Sequence, residues 1–269
     1  MSNVKKRIIL LFQCISELLG TGLIAFFSSS YTAYSKLIYN FDNVLGFSFI
    51  LGLSTCIAIY ISLSMSEAHL NPIVTLSFFL LSKFNHKKVI PYIISQIFGS
   101  FFSSVITYKL YYDLLTNFEK HNRILRGSLE SLNLASIFSF FPNKNLDVLE
   151  IFLLEIFVTF IFIFIIIILN DNEKLFSFKI ATYSPILIGI LIFLINIIIS
   201  PLTNFTLNPA HDIGSHIFIY LSGWEKIAFT RGESVIYFVI PILGTILGSI
   251  MSVYFYKYIK IKFYRHKIK

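Results

Sequence analysis

Six stretches of this chain are each apolar and long enough to cross a hydrocarbon layer of about 30 Å: Ile8 to Ser30, Val44 to Ser64, Val89 to Tyr112, Val148 to Asn170, Ser184 to Ser200 and Val235 to Tyr256. Lipid offers no water to backbone N–H and C=O groups, so a crossing segment is either a helix or a strand of a closed barrel. Barrel strands are short and alternate in polarity, whereas these runs are continuous. Helices follow. The first run comes after Lys5, Lys6 and Arg7, yet it is too long for a signal-peptide core and shows no cleavage pattern, so it reads as a retained span.

Composition excludes the soluble alternative. Of the 269 residues 56% are hydrophobic and 13% charged, too little charge to cover an aqueous surface. The net charge of +8 raises the question of nucleic acid, but the Lys and Arg residues lie between the apolar runs and at the two ends, the distribution of the positive-inside rule. With the N-terminus inside, that side collects Lys5, Lys6, Arg7, Lys83, Lys87, Lys88, Lys174, Lys179 and the basic residues from Lys257 to Lys269, which places both termini in the cytoplasm. Cys14 and Cys56 lie inside apolar runs without paired spacing and imply neither a disulfide framework nor a metal knuckle.

Two further apolar segments, Leu70 to Leu81 and Leu207 to Leu221, have about half the length of a span. Each carries Asn-Pro near its start. Asparagine is a favoured N-cap and proline a favoured first helical residue, so Asn71-Pro72 and Asn208-Pro209 predict two half-helices. The first half of the chain runs Glu17, Thr21, Asn71, and the second runs Glu155, Thr159, Asn208 in the same order and at similar separations. Three spans per half is an odd number, so the second copy enters the membrane inverted. The expected fold is an all-α membrane protein, one domain over 1–269 with inverted repeats near 8–112 and 148–256.

Opposed half-helix N-termini carry partial positive charge toward the midplane, a barrier to cations but not to neutral hydrogen-bonding solutes. Each asparagine oxygen caps its own helix and leaves the amide free to donate into a pore. Glu17 and Glu155 are costly inside a span; they are expected to accept hydrogen bonds from the re-entrant loops and hold the loop carbonyls toward the pore, with a proton relay as the rival. His211, Asp212 and His216 raise a metal site, but His211 projects from a different face of its half-helix and no further cluster completes a shell. His69 reads as a packed residue. No phosphate-cradling loop or catalytic triad pattern points to an enzyme, and nothing calls for a cofactor.

These features resemble the major intrinsic protein family, and within it its glycerol-conducting branch. Ser66-Glu67-Ala68-His69-Leu70-Asn71-Pro72-Ile73-Val74-Thr75 is similar to the family's first Asn-Pro-Ala loop and Leu207-Asn208-Pro209-Ala210 to the second. Asp212, Pro241 and a connection containing Phe118-Glu119, Arg126-Gly127-Ser128, Glu130-Ser131 and Pro142-Asn143 resemble that branch. The resemblance implies pore-lining carbonyls at Glu67, Ala68, His69, Asn204, Phe205 and Thr206, a homotetramer, and residence in a bacterial inner membrane. It also implies a filter of two aromatic residues and an arginine. Phe205 matches one aromatic, Leu51 stands at the tryptophan position and His211 at the arginine position; Glu67, Ile73 and Asn204 replace small residues of the loops. Passive passage of glycerol and similar polyols, with some water, is the leading expectation; a broader urea-like pore with a degenerate filter and an ion-coupled secondary transporter are the alternatives.

Overall fold

The computed structural model describes residues 3–39, 41, 43–141, 143, 145–171, 180–202, 204–232 and 237–267. Its described elements are helical. Six helices are long and apolar enough to span a membrane: α1 (Asn3–Tyr39), α2 (Val44–Ser62), α4 (His86–Leu110), α7 (Val148–Asp171), α8 (Ile180–Ile199) and α11 (Val239–Lys267). Two short helices, α3 (Pro72–Leu80) and α9 (Pro209–Ile219), occupy the half-length segments and start at the two prolines.

Packing follows the sequence repeat. Helix α1 lies along α4 as α7 lies along α11, and α9 packs on α4 as α3 packs on α11. Helices α2 and α8, which occupy matching places in the two halves, pack on each other. There a Cβ on Gly52 would sit 2.5 Å from the Gly189 carbonyl oxygen and one on Gly189 2.6 Å from that of Gly52, so the two backbones touch across the axis that relates the halves. Similarly, a Cβ on Gly99 of α4 would meet the Leu18 carbonyl oxygen at 2.2 Å, and one on Gly248 of α11 the Ile156 carbonyl oxygen at 2.5 Å. Leu18 and Ile156 each follow one of the paired glutamates. The outer faces carry exposed Leu, Ile and Phe, among them Leu19, Phe49, Phe98, Leu153, Ile190 and Leu247, as a lipid-facing surface requires.

Helix limits differ from the limits of the apolar runs. Hydropathy marks the depth of hydrocarbon, whereas capping and packing end a helix. Helix α1 continues past Ser30 to Tyr39, where Ala33 is buried and Lys36 donates to Ser136 Oγ at 2.7 Å. Helix α4 starts at His86 because Asn85 Oδ1 accepts the Lys87 N–H at 3.0 Å. Helix α11 runs beyond Tyr256 to Lys267; Val235, the expected start of that span, lies outside the described residues, as do Pro142, Lys174, Lys179 and Lys269. The connection after α4 is itself folded, into α5 (Tyr112–Asn122), a 3₁₀ turn at Leu129–Ser131 and α6 (Leu132–Ala135). Arg126 holds it, with Nε 2.7 Å from Glu119 Oε1, Nη1 donating to Tyr108 Oη at 2.8 Å, and its guanidinium over the Trp224 ring at 4.6 Å. Burial opposes that charge, but Glu119 and Tyr108 outweigh it and raise the Arg126 pKa above its ordinary value. A short α10 (Ile227–Thr230) lies on the same side.

Candidate functional site

The two re-entrant loops meet head to head. Asn71 Oδ1 accepts the Ile73 N–H at 3.0 Å and so caps α3; Asn208 Oδ1 accepts those of Ala210 and His211 at 3.1 and 3.4 Å and caps α9. Each side-chain amide then reaches across: Asn71 Nδ2 donates to the Leu207 carbonyl at 2.8 Å, and Asn208 Nδ2 to the Leu70 carbonyl at 2.9 Å. One N–H of each amide is therefore engaged by the opposite loop, where the sequence had predicted both free, and the second remains to donate. Leu70 and Leu207, the residues just before the asparagines, both take left-handed backbone conformations with φ of 52° and 44°. A non-glycine residue holds that geometry only when its surroundings over-determine it.

The glutamates provide part of that determination. Glu17 Oε1 accepts the His69 N–H at 2.9 Å and the Ser66 hydroxyl at 2.8 Å; its Oε2 accepts the Leu70 N–H at 2.7 Å and Gln96 Nε2 at 2.8 Å. Glu155 Oε1 accepts the Thr206 N–H at 2.7 Å, while its Oε2 has no partner among the described residues. With the loop N–H groups drawn toward the spans, the carbonyls of the same peptides turn away from them, toward the space between the half-helices.

That space is a cavity of about 370 Å³. Glu67, Ala68, His69, Asn71, Phe205, Thr206 and Asn208 border it, together with the three filter candidates Leu51, Phe205 and His211. Asn204 instead borders a second cavity of about 250 Å³ between α1, the start of α2 and the loop after α6. Pro72, Ile73, Pro209 and Ala210 stand off the cavity wall and are buried; Ile73, 1% exposed, packs in the apolar core. His69 is packed, as its sequence context indicated: its ring stacks on Phe78 at 5.2 Å, meets Phe84 and Tyr92 edge-on, and its Nδ1 pairs with Thr75 Oγ1 at 3.2 Å.

His211 is 6% exposed and borders the cavity, while its Nδ1 is turned into the protein and has no partner among the described residues. Its carbonyl accepts the Ser100 hydroxyl at 2.9 Å, which ties α9 to α4. Asp212 turns the other way: Thr206 Oγ1 donates to its Oδ2 at 2.6 Å and Ser139 Oγ to its Oδ1 at 3.0 Å, and Ser139 also contacts His216 Nδ1 at 2.9 Å. Asp212 and His216 thus face the loop after α6 and His211 faces the cavity. At the opposite mouth Lys88 Nζ lies 2.6 Å from Glu67 Oε1 and the Tyr92 hydroxyl donates to Oε2. Burial opposes ionisation of Glu67, but Lys88 and Tyr92 outweigh it and hold the carboxyl below its ordinary value.

Gln96 and Phe140 were not singled out in the sequence. Gln96 is a fully buried amide inside a membrane-spanning run, a signal that could have been read. Phe140 borders the cavity beside His211, and no local pattern marks it among the chain's 30 phenylalanines.

Six spans with two capped half-helices joined through reciprocal asparagine bonds define an integral membrane protein of the re-entrant-loop class. The chain belongs to the major intrinsic protein family, whose model matches residues 5–256. It is 44% identical over 256 residues to the glycerol uptake facilitator protein of Buchnera aphidicola subsp. Acyrthosiphon pisum, covering 95% of this chain and 97% of that one. The glycerol uptake facilitator protein of Escherichia coli K12 is 40% identical over 245 residues, covering 91% and 86%, and the propanediol uptake facilitator of Citrobacter freundii 37% identical over 247 residues, covering 92% and 91%. Among solved structures, the aquaglyceroporin from Plasmodium falciparum superposes with a TM-score of 0.79 at 25% identity, covering 92% of this chain and 95% of that one. A channel of this family is not an enzyme.

Proposed function

We propose that this protein is a passive channel for glycerol and similar small neutral polyols, with some passage of water. The observation that carries the reading is the pair of crossed asparagine bonds: each amide keeps one donor at the point where two half-helix N-termini converge, beside a cavity of about 370 Å³. Polyol hydroxyls accept from those donors and donate to the loop carbonyls of Glu67, Ala68, His69, Phe205 and Thr206, while Leu51 and Phe205 offer the carbon backbone an apolar wall. The two N-termini oppose cations. The relatives named for glycerol and propanediol uptake support the solute class.

Glu17 and Glu155 act as loop supports in this reading, and Asn71, Asn208, Phe205 and His211 as solute contacts. The chain forms one domain of two repeats, near 8–112 and 148–256, and assembles as a homotetramer in a bacterial inner membrane with both termini cytoplasmic. A broader pore admitting urea is the second reading, favoured by the apolar Leu51 and the single imidazole of His211 on the filter. Stopped-flow light scattering on proteoliposomes tests both. Glycerol flux well above that of empty vesicles, indifferent to proton and sodium gradients, is expected; urea flux equal to or above glycerol favours the second reading, and gradient-coupled accumulation of solute defeats both.

A further inference from the structure

The loop after α6 supplies a second aromatic beside Phe205, where Leu51 leaves the filter with one. The Phe140 ring lies tilted against the His211 imidazole with centroids 5.3 Å apart, and meets Phe47 of α2 edge-on at 6.0 Å. Phe140 borders both the central cavity and the cavity of about 250 Å³ beside it, so its ring stands between them. Leu51, by contrast, contributes a small aliphatic side chain to the same central cavity.

The ring is registered to the half-helix by its neighbours. Ser139, 3% exposed, donates to Asp212 Oδ1 at 3.0 Å and contacts His216 Nδ1 at 2.9 Å. Asp212 is adjacent in sequence to His211, as Ser139 is to Phe140, so one buried contact fixes the loop and α9 side by side and brings ring and imidazole together. Thr206 Oγ1 holds the other oxygen of Asp212 at 2.6 Å and joins the second re-entrant loop to the same assembly. An aromatic that served packing alone would not border two cavities at once.

We infer that Phe140 is a specificity-determining residue of the pore: its ring closes the side of the filter that Leu51 leaves open and sets the largest solute that passes, with Ser139 and Asp212 as its positioning residues. This rests on the channel reading above.

Permeability ratios across a size series of urea, glycerol, erythritol and xylitol, measured on proteoliposomes, test it. Phe140→Ala is expected to raise the xylitol-to-glycerol ratio on the order of tenfold, the scale on which one apolar wall contact discriminates. Phe140→Trp should lower it. Adding Leu51→Trp to Phe140→Ala should bring the ratio back toward wild type, since either ring can fill the same gap, and Ser139→Ala should raise it by a smaller factor. If Phe140→Ala does not fold, the Phe140→Trp and Ser139→Ala ratios carry the test. A ratio unmoved in the Phe140 variants that fold overturns the inference. Failure of the glycerol reading is distinct: wild type would then pass other members of the series but not glycerol, and the size limit is still read on those. A wild type that passes none of them overturns both.

Discussion

The two re-entrant loops occupy equivalent places in the repeat but are held by different means. In the first, four donors close on the two oxygens of Glu17, drawn from the loop itself and from Gln96 of α4. In the second, Glu155 receives the Thr206 N–H on one oxygen and keeps the other without a partner, and the loop is fixed instead by Thr206 Oγ1 on Asp212 of its own half-helix. The difference traces to α4 and α11. A Cβ on Gly99 would press on the Leu18 carbonyl and one on Gly248 on the Ile156 carbonyl, which puts Thr245 where Gln96 stands in the first half. Thr245 is shorter and donates to its own helix, to the Ile242 carbonyl at 2.8 Å. The first loop is therefore anchored chiefly to the spans, and the second chiefly to its own half-helix and, through Asp212, to the loop after α6.

The largest expected effect separates the two glutamates. Glu17→Leu leaves several buried donors unpaired, at about 1 to 3 kcal/mol each, and should yield no folded protein. Glu155→Leu strands one backbone N–H and should cost about 1 to 3 kcal/mol in total. The glutamine variants sharpen this. At Glu17 both oxygens face N–H groups, so an amide nitrogen opposes a donor whichever way it is turned; at Glu155 it can take the place of the unpartnered Oε2. Monodisperse yield and thermal unfolding in detergent should rank Glu155→Gln near wild type and Glu17→Gln well below it. The reverse ranking would break the comparison.

Where the halves are alike, variants should behave alike. A Cβ at Gly99 or Gly248 would press on a carbonyl oxygen of the neighbouring span, so Gly99→Ala and Gly248→Ala should each cost about 1 to 3 kcal/mol through overpacking. Unfolding midpoints that fall together support a shared frame. A large fall in one alone shows that the halves pack with different tolerance.

Much of the frame is legible in the sequence because lipid imposes it. Backbone pairing in hydrocarbon turns apolar length into helices, and Asn-Pro carries its own capping chemistry, so the spans and the starts of α3 and α9 appear from local information. The glutamates were legible through their cost in a span. What the sequence did not disclose depends on meetings between distant segments. The crossed bonds from Asn71 to Leu207 and from Asn208 to Leu70 join residues more than 130 positions apart, with separations of 136 and 138. Phe140 reaches His211 through the path of a loop that hydropathy cannot trace. The extension of α1 to Tyr39 escaped for a similar reason: it is fixed by contacts with the segment around α6, not by lipid.

Smaller effects are expected from the loop hydroxyls. Thr206→Val removes a buried donor from Asp212 Oδ2 and should cost about 1 to 3 kcal/mol, since an oxygen is left unpaired. Ser66→Ala removes one of four donors to Glu17, which still accepts from His69, Leu70 and Gln96, and leaves the half-buried Ala68 N–H, which the hydroxyl accepts at 2.9 Å, to find water. It should cost less, and equal unfolding midpoints for the two variants would argue against separate anchoring of the loops.

The smallest effect concerns the mouths. Glu67 and Asn204 hold matching places, but Glu67 pairs with Lys88 at 2.6 Å whereas Asn204 is neutral and donates to the Phe141 carbonyl at 3.3 Å. The first mouth therefore responds to acid and salt in a way the second does not. Although burial disfavours its charge, Lys88 and Tyr92 lower the Glu67 pKa below its ordinary 4.5. A carboxyl group lowered on folding adds stability that is present in full above the unfolded value and disappears as pH falls through the folded one. The increment should thus be constant from pH 7 to about pH 5 and be lost below 4.5. With 39% of the Glu67 side chain exposed, solvent screening limits it to about 1 kcal/mol or less. Thermal midpoints of wild type and Glu67→Gln, compared at pH 7 and pH 4, should differ more at the higher pH, and molar salt should narrow that difference. A gap of the same size at both pH values would mean that Lys88 and Tyr92 support the loop by packing, and that the two mouths are electrostatically equivalent.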